Sequence, residues 1–266
     1  MLNLKERLAA GECVIGAGIY SNSPETIEWS ARGMDWIWWE CQHTHCNWET
    51  TLHGVRTAHL AGMPVLARTW SHDGGVIERL LDTGADGIIV PMVNTPDQAK
   101  AVAAHCYYPP AGVRSWGGNR PEILEPDAES WNRRTVVMAM VETPEGVRHA
   151  EAIARVAGID ALFVGMVDIA LSLGLGRNFQ APELTAAVGQ VLEACRRAGK
   201  PAAIVVEDAE DMDARIEQGF RMVMGLDVNL LRNDYLQLRR RFAERTSSRL
   251  RGRPATSSKR EDAPGC

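Results

Sequence analysis

Residues 75–105, GVIERLLDTGADGIIVPMVNTPDQAKAVAAH, read as a helix, a strand and a second helix. The segment 75–83 has a helical pattern and closes on Gly84, a residue that tolerates the left-handed turn ending many helices. GIIVPM at 87–92 follows as an almost unbroken apolar run. Such runs mark strands buried on both faces, as in a parallel sheet covered by helices. Pro96 then opens a helical stretch reaching 105. Proline suits the first helical turn because no N–H partner is needed there.

The same unit recurs along the chain. Strands are expected at 14–19, 34–40, 64–69, 87–92, 136–142, 161–166, 201–206 and 221–226. Helices are expected at 24–32, 48–61, 75–83, 96–105, 144–156, 182–198, 208–218 and 229–244. Pro24, Pro144 and Pro182 open helices as Pro96 does, and Gly33, Gly62, Gly199 and Gly219 close them. Eight strands, each followed by a helix through right-handed crossovers, predict a closed (β/α)8 barrel of the TIM type. An open doubly wound sheet is the alternative.

The barrel domain is expected over residues 1–245, beginning with a short amphipathic helix. From 246 to 266 the chain is rich in Ser, Thr, Arg and Pro, and a disordered tail is expected. Residues 107–127, YYPPAGVRSWGGNRPEILEPD, read as a long βα loop, and loops of that length are often functional.

Composition narrows the partners. Net charge is −5, which argues against nucleic acid or an anionic membrane surface. No apolar run approaches the ~20 residues that span a bilayer. The opening residues lack the apolar core of a signal peptide. Cysteines 13, 41, 46, 106, 195 and 266 form no CxxC pair. Reduced thiols and a cytoplasmic setting are the expectation.

A barrel of this kind carries its chemistry at the C-terminal ends of the strands. There the sequence places Glu40, followed by Cys41, Gln42 and His43, then Arg68, Glu142 and Asp168. Each alone is what any solvent-facing strand end shows. Together they supply a base, a cation and carboxylates on one rim. Glu142 and Asp168, on consecutive strands, are expected about 4.8 Å apart. Carboxylates that close repel unless a proton or cation lies between them, and hard oxygen donors suit Mg2+ or Mn2+. His43 and His45 in HTH could pair on a metal, but matching histidines at later strand ends are missing. A single base at His43, oriented by Glu40, fits better.

Lysine placement excludes a Schiff-base mechanism. Lys5, Lys100, Lys200 and Lys259 are the whole set, and none follows a strand on the catalytic rim. The ends of strands seven and eight, VVEDAED and GLDVN, lack a glycine-rich phosphate cradle.

The segments GMDWIWWECQH, VLART, RLLDTGADGIIVPMVNTPDQA, YYPPAGVRS, VETPEG, GIDALFVGMVDIALSLG and MGLDVNLL resemble, in order and spacing, the HpcH/HpaI family of class II pyruvate aldolases. The likeness runs from about residue 4 to 243. It implies a divalent-metal-dependent lyase that cleaves 4-hydroxy-2-oxo acids to pyruvate and an aldehyde through an enolate. Mg2+ or Mn2+ is the implied cofactor, with Co2+ a further candidate. By the resemblance His43 is the base, Glu40 its acidic partner, Arg68 the enolate-stabilising cation, and Glu142 and Asp168 the metal ligands. Gly165, Met166 and Val167 match the backbone that holds the pyruvate carboxylate, and Gln42 lies beside the base. The family also implies homo-oligomers, commonly hexamers, with the last helix exchanged between neighbours.

Three positions depart from that pattern. Glu40 stands where Asp is usual, Met140 where Gln is frequent, and Met166-Val167 where Pro-Ala or Pro-Ser precedes the acidic ligand. Oxaloacetate decarboxylation, capture of the enolate by another acceptor, and non-catalytic oxo-acid binding therefore stay open beside the aldolase reading. Tryptophans crowd the region before residue 49, and Trp70 and Trp116 follow. Most are expected in the barrel wall, while Trp70 or Trp116 is a candidate wall of the aldehyde pocket.

Overall fold

The computed structural model describes residues 3–251. The chain begins with α1 (Leu4–Ala9), β1 (Val14–Ile19), α2 (Pro24–Ser30), β2 (Trp36–Glu40), α3 (Trp48–Leu60), β3 (Val65–Arg68) and α4 (Gly74–Leu81). Next come β4 (Gly87–Val90), α5 (Pro96–Cys106), α6 (Asn119–Leu124), α7 (Ala128–Arg134), β5 (Val136–Val141) and α8 (Pro144–Ala154). The remainder is β6 (Ala161–Val164), α9 (Met166–Ser172), α10 (Pro182–Ala198), β7 (Ala202–Val205), α11 (Ala209–Gln218), β8 (Met222–Leu226) and α12 (Asp227–Arg251). All eight strands are parallel and close β1 back onto β8. The expected (β/α)8 barrel is the fold, and the open sheet is excluded.

The described chain divides after Val228 into two compact units. The second unit continues α12 through Arg251, with Leu230, Leu231, Leu236, Leu238 and Phe242 exposed. Most of the expected disordered tail, from residue 252 on, lies outside the described residues.

Strand alternation sorts the tryptophans. Trp36 and Trp38 point into the barrel with Leu66, Met138, Met140, Phe163 and Met224. Ile37 and Trp39 point outward against the helices. Trp36 needs Gly16 beside it, because a Cβ there would stand 2.5 Å from the indole ring. Leu4 and Leu8 of α1 join the interior cluster. The expectation that most tryptophans pack in the wall holds for Trp36, Trp38 and Trp39, all fully buried.

Helix starts follow the sequence signals. Thr95 and Thr143 cap α5 and α8 with their side chains, and Pro96 and Pro144 occupy the first turns. The cap at Thr143 stops β5 and leaves Glu142 between strand and helix, at the barrel mouth.

Two readings are corrected. Residues 107–127 lie between α5 and β5, so they form an αβ connection and not a βα loop. Such a connection feeds the N-terminal end of a strand, opposite the catalytic rim. Its buried Arg114 pairs with Asp82 at 2.7 Å, just beyond α4, and lies over the Tyr108 ring. The expected strand 161–166 ends at Val164. Gly165 caps a short helix, α9, that helical periodicity did not reveal. Asp168 therefore sits in the first turn of α9 and not on the strand.

Candidate active site

At the C-terminal ends of β2, β3 and β5 three charged groups are buried together. Glu40 is the last residue of β2, Arg68 the last of β3, and the two are register partners. Glu142 follows β5. Arg68 donates from Nη1 to Glu40 Oε2 at 3.4 Å, and its Nη2 lies 3.8 Å from Glu142 Oε2. The guanidinium thus spans from the second strand to a carboxylate beyond the fifth. Trp38 lies beneath it, 5.5 Å from Arg68 Cζ.

Glu40 also shapes the loop after β2. Its Oε1 accepts the backbone N–H of Gln42 at 2.6 Å and of His43 at 2.9 Å. Thr44 Oγ1 donates to the Glu40 carbonyl at 2.7 Å. Glu40 therefore engages His43 through the main chain, and the His43 side chain is exposed at the rim. The Gln42 amide oxygen is buried without a partner.

Glu142 is strongly perturbed. Burial raises its carboxyl to about 7, against the pull of Arg68 and the Met92 N–H, and the charge of Asp168 adds to the rise. Its Oε1 accepts the Met92 N–H at 2.7 Å, while Oε2 has no hydrogen-bond donor. Gly165 makes room for it: a Cβ at 165 would stand 2.4 Å from Glu142 Cβ. Gly165 brings no side-chain cap to α9. The first-turn N–H groups of Met166 and Val167 are therefore not satisfied by a cap. Met166 packs partly against the core, while Val167 and Asp168 are exposed.

Three further residues join the site, Met92, Tyr20 and Asp227. Met92 reaches Glu142 only through its backbone, in a left-handed conformation at φ 55°, uncommon for a residue with a side chain. Tyr20 follows β1, packs its ring on Trp38 at 5.8 Å and accepts from Arg68 Nη1 at 3.5 Å. Asp227, at the end of β8, accepts the N–H groups of Tyr20 and Ser21 at 2.9 and 3.1 Å. Reading the ends of strands one and eight as closely as those of two, three and five would have found Tyr20 and Asp227.

Among the described lysines, Lys5 bonds Tyr107 and Thr135, Lys100 pairs with Asp97 on α5, and Lys200 precedes β7. None stands at the rim. Trp70 lies just beyond Arg68, partly exposed, with its ring 5.4 Å from that of Trp48. Trp116, expected as a candidate pocket wall, lies instead in the αβ connection, packed on Tyr108 at 5.0 Å and away from the C-terminal strand ends. No described helix is long and apolar enough to cross a membrane.

A parallel barrel with an Arg68-bridged carboxylate pair at its C-terminal mouth defines an acid- and arginine-rimmed TIM-barrel site. The chain belongs to the HpcH/HpaI aldolase/citrate lyase family, whose model matches residues 19–234. Curated relatives of the chain are named as aldolases, carbon–carbon lyases of that family. A hydroxypyruvate/pyruvate aldolase of Pseudomonas aeruginosa is 33% identical over 246 residues, covering 90% of this chain and 91% of that protein. A 4-hydroxy-2-oxo-heptane-1,7-dioate aldolase of Shigella sonnei is 30% identical, covering 92% and 97%. A solved citrate synthase structure, SbnG, superposes with a TM-score of 0.81 at 29% identity, covering 92% of this chain and 98% of that one.

Proposed function

We propose that the chain is a divalent-metal-dependent aldolase that cleaves 4-hydroxy-2-oxo acids to pyruvate and an aldehyde. The observation that carries this reading is Glu142 Oε2. It is buried, lacks a donor, and belongs to a carboxyl on which Asp168 also acts. An excess of carboxylate oxygen over donors fits a cation. Hard oxygen ligands suit Mg2+ or Mn2+, and Co2+ is a further candidate. Glu142 and Asp168 would hold the ion; when bound, it supplies Lewis-acid polarisation of the 2-oxo group.

The chain's own residues do the rest. His43 takes the proton of the C4 hydroxyl. The C3–C4 bond then breaks, the aldehyde leaves, and the electron pair is delocalised onto the C2 oxygen. Arg68 faces that developing charge, fixed in place by Glu40 and by the Trp38 ring. Proton return to C3 completes pyruvate. The first-turn N–H groups of α9, at Met166 and Val167, left without a side-chain cap, would receive the substrate carboxylate, and Gln42 would offer its amide beside His43.

A second reading keeps the enolate and changes its acceptor. The likeness to a citrate synthase favours it, because that name implies carbon–carbon bond formation onto another carbonyl. The exposed apolar side chains of α12 support a homo-oligomer in which that helix packs on a neighbouring copy. Light scattering after gel filtration tests this, and a monomer at micromolar concentration overturns it.

The deciding experiment for the reaction is a retro-aldol screen. A set of 4-hydroxy-2-oxo acids is incubated with the metal-stripped protein, with and without Mg2+, Mn2+ or Co2+, and pyruvate is measured. Metal-dependent release of pyruvate and aldehyde supports the aldolase. Pyruvate from oxaloacetate alone, with no aldol cleavage, replaces it with decarboxylation. Binding of oxo acids without turnover leaves a binding protein.

A further inference from the structure

The loop between β2 and α3 holds two thiols that the proposed chemistry does not use. CQHTHC, residues 41–46, puts Cys41 directly after β2 and Cys46 directly before Asn47, the cap of α3. The chain turns back over Glu40 through the bonds from His43 and Thr44. That return brings Cys46, the neighbour of Asn47, back toward Cys41, and each thiol acts on the other's proton affinity. Cys41 is buried, with Sγ 3.7 Å from Thr51 Oγ1. Thr51 is held in turn by Asn47 O at 2.8 Å. Cys46 is only half-buried.

We infer that Cys41 and Cys46 form a redox modification site, in which a hydroperoxide oxidises Cys46 and Cys41 closes an intraloop disulfide. The Cys46 sulfur attacks the peroxide, forming an S–O bond as the O–O bond breaks and the alcohol or water leaves with a proton. Cys41 then attacks the sulfenic sulfur. The S–S bond forms, the S–O bond breaks, and the hydroxyl leaves as water with the Cys41 proton. Two thiols and one hydroperoxide give one disulfide, one alcohol or water, and one water.

The two thiols are matched to these roles. The Cys41 contact, ahead of the opposing effect of burial and with help from the Thr44 and Thr51 hydroxyls, lowers Cys46 to about 6. The same contact, with burial, pushes Cys41 the other way. A thiolate that attacks beside a protonated thiol that resolves is the division of labour a two-cysteine site needs. Burial pushes the thiols of Cys13, Cys106 and Cys195 up instead. The bridge would tie together the ends of the loop that carries His43. Its effect on turnover rests on the proposed role of His43, whereas its formation does not.

The test treats the reduced full-length protein with hydrogen peroxide, blocks free thiols with iodoacetamide and digests with trypsin. Cleavage after Arg32 and Arg56 releases both cysteines in one peptide, residues 33–56. The expected peptide is lighter by two hydrogens and unalkylated, and dithiothreitol restores both alkylation sites. In Cys41→Ser the sulfenic acid at Cys46 persists and dimedone traps it. In Cys46→Ser the loop resists peroxide, while turnover before oxidation is kept. Alkylation of both cysteines after peroxide, or oxidation of Cys13 as fast as Cys46, overturns the site. Turnover measured in parallel is expected to fall about 10²-fold on oxidation, the scale of a misplaced reacting group, and to return with dithiothreitol. A bridged protein with full turnover overturns the link to His43 and leaves the bridge standing.

Discussion

Gly165 and Glu142 occupy one space: a Cβ on residue 165 would lie 2.4 Å from Glu142 Cβ and 2.8 Å from its Oε2. The residue that starts α9 is thereby coupled to the carboxylate that follows β5. Gly165→Ala is expected to cost about 1–3 kcal/mol of stability, the scale of overpacking a filled site, and to weaken divalent-ion binding by displacing Glu142. Thermal denaturation and a Mn2+ titration measure the two effects. An alanine variant with both unchanged refutes the coupling.

Metal removal tests the carboxylate pair. Exhaustive dialysis against EDTA is expected to abolish pyruvate release, and Mg2+, Mn2+ or Co2+ to restore it. Glu142→Ala and Asp168→Ala are each expected to lose ion binding and turnover together. Full turnover of the stripped protein would remove the ion from the reaction.

Burial also gives the metal-free protein a pH dependence. Glu142 is raised from its usual range to about 7 in the folded state. Between pH ~4.5 and ~7 the folded chain holds a proton that the unfolded chain has released. Stability is therefore greatest, for this group, below pH ~4.5 and declines as pH rises through about 7, by up to roughly 3 kcal/mol. Glu142→Gln is expected to flatten that decline in urea unfolding curves. A wild-type curve that is already flat over this window argues that Glu142 ionises freely in the fold.

The two histidines of the β2–α3 loop separate cleanly by assay. His43→Ala is expected to slow C3 proton exchange of pyruvate by about 10²-fold, the usual scale for a positioned acid–base group. His45→Ala is expected to have a much smaller effect. A reversed order of damage would move the base to His45.

Trp70 and Trp116 face different ends of the barrel. Trp70→Ala is expected to raise KM for a bulky apolar aldehyde in the aldol direction and to leave pyruvate proton exchange nearly unchanged. Trp116→Ala, in the αβ connection packed on Tyr108, is expected to leave both unchanged in the isolated chain. Equal damage to proton exchange and aldol addition in Trp70→Ala would place Trp70 with the reacting atoms instead.

Unbroken apolar runs, prolines at helix starts and glycines at helix ends determined the eight βα units, because each signal is local and acts through the backbone of its own segment. The strand ends then marked Glu40, Arg68 and Glu142, since polar side chains interrupt an apolar run only where the barrel opens. Tertiary structure decided the rest. Only the side-by-side pairing of β2, β3, β4 and β5 brings their ends near enough for Arg68 to span Glu40 and Glu142. Met92 contributes an N–H, which every residue but proline has, so no side-chain pattern marked it. Gly165 reads in sequence as the continuation of a strand; the fold sets Glu142 beside it at the end of the neighbouring strand, where a side chain on residue 165 would collide. Residues 107–127 belong to the legible part, because the helix expected at 96–105 precedes them and the strand expected at 136–142 follows, and that order alone makes them an αβ connection at the N-terminal end of the barrel.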